Sequence, residues 1–281
     1  MRRLKKNRAA SFIAVSVVYV IASAVGVTVY NVLSLPVWLS LLIADIAATA
    51  ATFVFSLIFA NASVYDPYWS VQPIVIVTAF AAVYGVGLLQ MLLIGAIYIW
   101  GVRLTANWAY TFSDLDRQDW RYTMIKEKSG KLYPVLNFVG IHLVPTLVVY
   151  TCVLPVVYTI VYKTELSLIS IPFVLLSLIA TALQGAADVQ MHMWKRRPDR
   201  GTFIRVGLWK RSRHPNYLGE ILMWWGIGLA AFGSFHTPWY LLGALLNTLL
   251  FAFVSIPLAD GKQSKKDGFA EYKRETHVLL P

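Results

Sequence analysis

Residues 71–102 read VQPIVIVTAFAAVYGVGLLQMLLIGAIYIWGV, a run without one charged side chain. A bilayer core about 30 Å thick takes about 20 apolar residues per helical crossing. The run is too long for one crossing, and Gly85 and Gly87 divide it, so it reads as two, a short one over 71–83 and a second over 85–102. A single broken or re-entrant segment over 72–100 is the alternative, and it lowers the total to six or seven. Outward from this run, further apolar segments lie at 11–33, 37–61, 138–162, 166–187, 217–235 and 238–256. The expected fold class is an all-α, polytopic transmembrane helix bundle of about eight crossings.

Composition agrees. The 281 residues are 58% hydrophobic and 14% charged, against about 25% charged in soluble domains. Lys and Arg number 25 against 14 Asp and Glu, a formal charge of +11. The basic residues fall in blocks at 2–8, 103–131, 195–213 and 262–274, with Lys163 alone between two apolar runs. Cytoplasmic loops retain Lys and Arg. Eight crossings with the N-terminus inside put every basic residue except Lys163 on the cytoplasmic side, whereas an odd count strands a whole block. The 61–70 turn, the 104–136 loop, the 194–215 loop and the C-terminal tail then share that face, where a soluble cofactor meets all of them. Basic blocks that punctuate membrane-length segments do not form the single basic face that nucleic acid requires, so no nucleic-acid partner is expected. Cys152 is the one cysteine, which excludes an internal disulfide. The basic start and the apolar 12–30 run imitate a signal peptide, but no Ala-x-Ala cleavage site closes the run.

No His-x-x-His or Gly-x-Ser-x-Gly spacing occurs, so zinc and serine hydrolase chemistry lacks support and no metal is expected. Gly85-Val86-Gly87 begins like a dinucleotide fingerprint but lacks its third glycine and its strand. Polar groups at the membrane boundaries remain. Gln184, Asp188, His192 and Lys195 are spaced four, four and three apart, which places them on one helical face; an interfacial helix end is the plainer reading. Arg213-His214-Pro215-Asn216-Tyr217-Leu218-Gly219-Glu220, followed by Trp224-Trp225-Gly226, is denser. Pro215 starts a helix, and Asn216, Glu220 and Trp224 share a face. Arg196, Arg197, Arg200, Arg205, Lys210 and Arg211 stand upstream, a setting for a pyrophosphate or 2′-phosphate. Positive-inside anchoring also accounts for the arginines, but not for Asn216 and Glu220. In Tyr65-Asp66-Pro67-Tyr68-Trp69-Ser70 a carboxylate lies between phenols, able to bind or protonate a carbonyl oxygen; an aromatic belt with Asp66 capping a helix is the alternative. Trp100-Gly101-Val102-Arg103 with Asn107 forms a weaker set. The chain divides into an N-terminal half over 1–136 and a C-terminal half over 137–281.

These residues are similar to a known family. The 213–220 run with Trp224-Trp225-Gly226, the 65–70 run, and Gly268-Phe269-Ala270-Glu271-Tyr272 before Leu280-Pro281 resemble the steroid 5-alpha-reductase-like integral-membrane family, its bacterial branch in particular. The resemblance covers about residue 61 to the C-terminus. It implies an NADPH-dependent oxidoreductase of the bacterial inner membrane, with both termini and the cofactor loops cytoplasmic. Its reaction is reduction of a carbon-carbon double bond conjugated to a carbonyl in a lipophilic substrate, steroid-like or another lipid, by a monomer embedded in membrane lipid. The family's cofactor contacts fall on Gln184, Asp188, Lys195, Asn216, Tyr217 and Glu220, with His192, Arg200, Arg205, Arg211, Arg213, His214, Asp260 and Lys262 as further cofactor-binding candidates. Asp66, Tyr65 and Tyr98 are the catalytic candidates, and Tyr68, Trp69, Trp100 and Arg103 those for substrate. Gln184 departs from the family's asparagine, and no His-Tyr precedes Arg103 as it does in the animal steroid reductases. The Arg-His-Pro-x-Tyr-x-Gly run is also similar, more loosely, to S-adenosylmethionine-dependent methyltransferases of the isoprenylcysteine carboxyl type. A transporter or membrane scaffold is the non-enzymatic alternative; it calls for inverted repeats, which the sequence lacks.

Overall fold

The computed structural model describes residues 5–279; Arg2, Arg3, Leu280 and Pro281 lie outside them. Every regular element among the described residues is helical. Among the described residues eight segments are long and apolar enough to cross a membrane: Arg8–Val32, Val37–Ile58, Ala62–Tyr84, Leu88–Thr111, Trp120–Val161, Ser170–Arg196, Pro215–Phe235 and Pro238–Gln263. The first two are α1 (Arg8–Val32) and α2 (Val37–Ile58). The ambiguous run of 71–102 is two helices, α3 (Tyr68–Tyr84) and α4 (Leu88–Thr111). Gly85 makes the break with φ +72°, a left-handed conformation that costs glycine nothing because it has no Cβ.

The loop expected over 104–136 is mostly helix. The α4 helix runs on to Thr111, and α5 (Trp120–Ser129) starts where the Asp119 side chain accepts from the Arg121 N–H at 2.8 Å, satisfying a helix-start donor. The fifth crossing continues from it through α6 (Tyr133–Leu136), a π-helix (Asn137–Leu143) and α7 (Val144–Val161). The sixth is α8 (Ser170–Arg196), longer than the apolar run alone indicates because its polar end stays helical. Then come α9 (Pro215–Phe235), α10 (Leu242–Leu250), a second π-helix (Phe251–Ser255), α11 (Ile256–Gln263) and α12 (Phe269–Glu275).

The chain packs as two compact units. One takes the chain up to Val83 together with Gly101–Leu154; the other takes Tyr84–Trp100 and everything from Pro155 onward. The units interleave along the sequence, whereas the sequence reading divides the chain once, after residue 136. Helices adjacent in the chain need not be partners in packing.

In the second unit α9 lies against α8 through glycines seven residues apart. A Cβ on Gly219 would stand 2.7 Å from the Ala180 carbonyl oxygen, and one on Gly226 2.7 Å from the Phe173 oxygen and the Ser177 nitrogen. Gly233 faces Ser170, whose hydroxyl donates to the Ala230 carbonyl at 2.7 Å. Small residues let membrane helices approach until their backbones touch. Gly226→Ala forces backbone apart and is expected to cost about 1–3 kcal/mol in thermal or denaturant unfolding of the detergent-solubilised protein. Gly95→Ala, whose Cβ meets nothing within 4 Å, is expected to stay within about 0.5 kcal/mol of the parent.

Candidate functional site

The glycine contact sets Gln184 of α8 beside Glu220 of α9. Glu220 is 1% exposed. Its Oε1 accepts from the Trp224 indole at 2.9 Å, and its Oε2 accepts from the Trp100 indole at 2.8 Å and from the Gln184 amide. A buried carboxylate requires such donors, since desolvation without them is costly. Trp100, expected at the substrate, therefore gives its N–H to Glu220, and Glu220 is engaged by donors of its own unit. Two amide oxygens beside it, Gln184 Oε1 and Asn216 Oδ1, are buried without a partner. Asp188 and His192 continue the same face of α8, half-buried, and Lys195 is exposed at its end.

The basic loop after α8 is folded. Gln190 Oε1 accepts from the Leu208 N–H at 2.8 Å, and the Trp209 indole donates to the Ala187 carbonyl at 3.0 Å. Both residues were invisible as site builders in the sequence, where Gln190 is one more polar residue at a helix end. Arg197, Arg200 and Arg205, with Asp199, Trp194, Thr202 and Phe203, line a cavity of about 390 Å³. Arg200 lies over the Trp194 ring at 5.8 Å and Arg205 over Phe203 at 4.6 Å, so their guanidinium groups are held by stacking. Arg205 also donates to the Gly268 carbonyl at 2.7 Å.

Arg213 and His214 turn the other way, into the C-terminal segment. Arg213 donates to the Thr276 carbonyl at 2.7 Å and pairs with Asp260 at 3.4 Å. His214 Nε2 lies 2.9 Å from Asp260 Oδ1, and its ring stacks on Tyr217 at 5.1 Å. Lys273 reaches the same carboxylate at 3.6 Å. A parallel bridge joins Ser212 to His277, with the Arg211 carbonyl accepting from the His277 N–H at 3.1 Å. The Tyr272 hydroxyl donates to the Trp209 carbonyl, and burial pushes this phenol up to about 12, so it remains a donor at neutral pH. Of the expected anion-binding residues, Arg213 and His214 thus fasten the chain end, while Arg211 and Lys262 are exposed.

In the first unit Asp66 is half-buried and accepts from the Tyr122 hydroxyl at 2.7 Å. Its turn is tied to the 115–119 segment: the Asn61 amide donates to the Leu115 and Arg117 carbonyls at 2.7 and 3.0 Å, and the Asp119 N–H donates to Ser63 Oγ at 2.9 Å. Tyr65 and Tyr68 enter a buried chain that sequence reasoning missed. Tyr65 OH lies 2.8 Å from Thr146 Oγ1, which lies 3.0 Å from Thr49 Oγ1. Thr49 donates to Tyr68 OH at 3.5 Å, and Tyr68 donates to Asp45 Oδ1 at 3.3 Å, while Gln72 donates to Asp45 Oδ2. Asp45 is a charge-bearing residue within an apolar run, and that signal was available. Trp69 and Arg103 are half-buried in the same unit, and Tyr98 is half-buried in the other.

Residues 52–276 match a family profile described as a protein of unknown function, DUF1295. The chain belongs to the DUF1295 family. No curated protein and no solved structure matches it. The DUF1295 region takes in the Asp66 turn, the α8 face, the basic loop and the Asp260 cluster.

Burial is the main influence on His214 and lowers its pKa, against the hydrogen bond to Asp260, which raises it. The folded state therefore binds the proton less readily than the unfolded chain. Stability contributed by the neutral ring is full above the unfolded histidine value of about 6.5 and is lost as pH falls through that value towards the folded one. Between pH 7 and pH 5 the C-terminal segment is expected to become more open to limited proteolysis, and His214→Phe, which keeps the ring stack, is expected to flatten that dependence.

Proposed function

We propose that this protein is an NADPH-dependent membrane reductase of a carbon-carbon double bond conjugated to a carbonyl in a lipophilic substrate. The observation that carries the reading is the cavity in which three guanidinium groups, against the single carboxylate of Asp199, stand with two aromatic rings. Arginines take phosphate oxygens in a planar fork, and aromatic faces take a base, so the cavity suits the phosphate-bearing end of a dinucleotide. The unpartnered amide oxygens of Gln184 and Asn216 suit a ligand carboxamide, whose NH2 is a donor. Asp188, His192, Lys195 and Tyr217 complete the proposed cofactor face. Glu220 acts as a positioning residue: it holds the Gln184 amide nitrogen, so that the amide oxygen is turned away from it.

When bound, NADPH supplies a hydride to the substrate's β-carbon. Negative charge then develops on the carbonyl oxygen, and preorganised donors must meet it. Protonated Asp66 is the proposed donor, with Trp69 and Arg103 as substrate contacts; the Tyr65 and Tyr68 protons are directed along the chain to Asp45, and the Trp100 N–H goes to Glu220. The Tyr122 hydroxyl donates to Asp66 Oδ1, which leaves Oδ2 to carry the acid's proton. The setting proposed is a bacterial inner membrane, with both termini and the basic loops on the cytoplasmic side.

Purified protein in nanodiscs is expected to bind NADPH saturably. Changing Arg197, Arg200 and Arg205 together to Gln is expected to weaken NADPH at least tenfold and NADH much less, while Asn216→Ala weakens both. Saturable S-adenosylmethionine binding without NADPH binding would overturn the reductase in favour of a methyltransferase.

A further inference from the structure

The first unit holds a second cluster that the cofactor reading does not use. Its base is the π-helix Asn137–Leu143. A π-helix is rare and is kept mostly at functional positions. His142 is 0% exposed, and its Nδ1 lies 2.9 Å from the Asn137 carbonyl oxygen. A carbonyl only accepts, so in the neutral ring Nδ1 carries the hydrogen and Nε2 is an acceptor. That Nε2 is buried without a partner. Asn137, 2% exposed, gives its amide nitrogen to Ser56 Oγ at 3.3 Å, and its Oδ1 is likewise buried without a partner. Five residues apart, the two side chains lie about one π-helical turn apart and face α2, His142 against Phe53 at 5.4 Å and Asn137 against Ser56.

No neighbouring hydroxyl has a proton to offer them. Both oxygens of Asp45 accept, from Tyr68 and from Gln72. Thr49 donates to Tyr68, so Thr146 must donate to Thr49, and Tyr65 to Thr146. Each hydroxyl has one proton, and every one in the chain points towards Asp45. What is left over around the Tyr65 ring, which lies 4.7 Å from the His142 ring, is acceptor capacity. The rings of Phe53 and Phe138, 5.0 Å apart, add an apolar wall. Unpaired acceptors are costly within a segment of membrane-spanning length, and a ligand with a hydrogen-bond donor on an apolar body matches both features.

We infer that a lipophilic alcohol gives its single hydroxyl proton to one of these two buried acceptors, His142 Nε2 or Asn137 Oδ1. The inference does not rest on the reductase reading, whose substrate carries a conjugated carbonyl that such an alcohol lacks. The test is equilibrium binding to the full chain in nanodiscs of two matched probe series: farnesol, its methyl ether and farnesal; and cholesterol, its methyl ether and the corresponding ketone. The expected result is an alcohol bound at least tenfold tighter than its ether and its carbonyl counterpart in one series. His142→Phe with Asn137→Leu is expected to erase that preference while elution and helicity stay as in the parent, and His142→Gln, which restores an acceptor, to retain it. Equal binding within both series, or no binding in either, overturns the inference, and the second is the result if a buried water serves these atoms. This comparison needs only the parent protein, so it stands even if the double variant does not fold. Intact NADPH binding with no alcohol preference overturns this inference alone; an alcohol preference without NADPH binding overturns the reductase alone.

Discussion

Much of the second unit depends on the contact of α8 and α9 at Gly219, Gly226 and Gly233. With no Cβ between them the two backbones touch, and Gln184 is delivered to Glu220 at hydrogen-bond distance. Any larger residue at Gly219 would press on the Gln184 Cβ itself. The carboxylate can be buried because the same approach supplies an amide, and because Trp100 and Trp224 close its other sides. Packing and electrostatics are one constraint here: a helix pair that separated would take the Gln184 donor from a buried carboxylate.

Above that pair the positive charge divides into two roles. Arg213, His214 and Lys273 converge on Asp260 and fasten the C-terminal segment to the start of α9. Arg197, Arg200 and Arg205 stay at the surface around a cavity, two of them stacked on rings. Positive-inside retention treats both groups alike, as basic residues of one loop, and does not distinguish them. Burial does: the Arg213 side chain is 5% exposed and carries an acidic partner.

The eight apolar segments were legible because lipid removes every alternative to the helix and length then counts crossings. Gly85 marked the division of 71–102 because only glycine takes its φ without strain. The 104–136 segment misled, since α5 carries the polar surface of a solvated helix and reads as a loop. Asp66 looked like a free acid between phenols; that Tyr122, 56 positions away, would hold it leaves no local trace. Asp45 and His142 were passed over inside apolar runs, although an ionisable side chain there is itself a signal. The seven-residue glycine repeat in α9 was also present in the sequence, unread until its partner helix was known.

Sequence alone determined the number of crossings, the faces on which Gln184, Asp188, Asn216 and Glu220 stand, and the excess of basic residues in the loops. Each follows from a local rule: chain length per bilayer, helical period, or the cost of moving cations through lipid. Only the tertiary structure decided which donors meet Glu220, which arginines are spent on the C-terminal segment, and that the hydroxyl protons of the chain from Tyr65 to Tyr68 run towards Asp45. Those depend on pairs distant in sequence, and hydrogen-bond direction is fixed only once all partners of an atom are known.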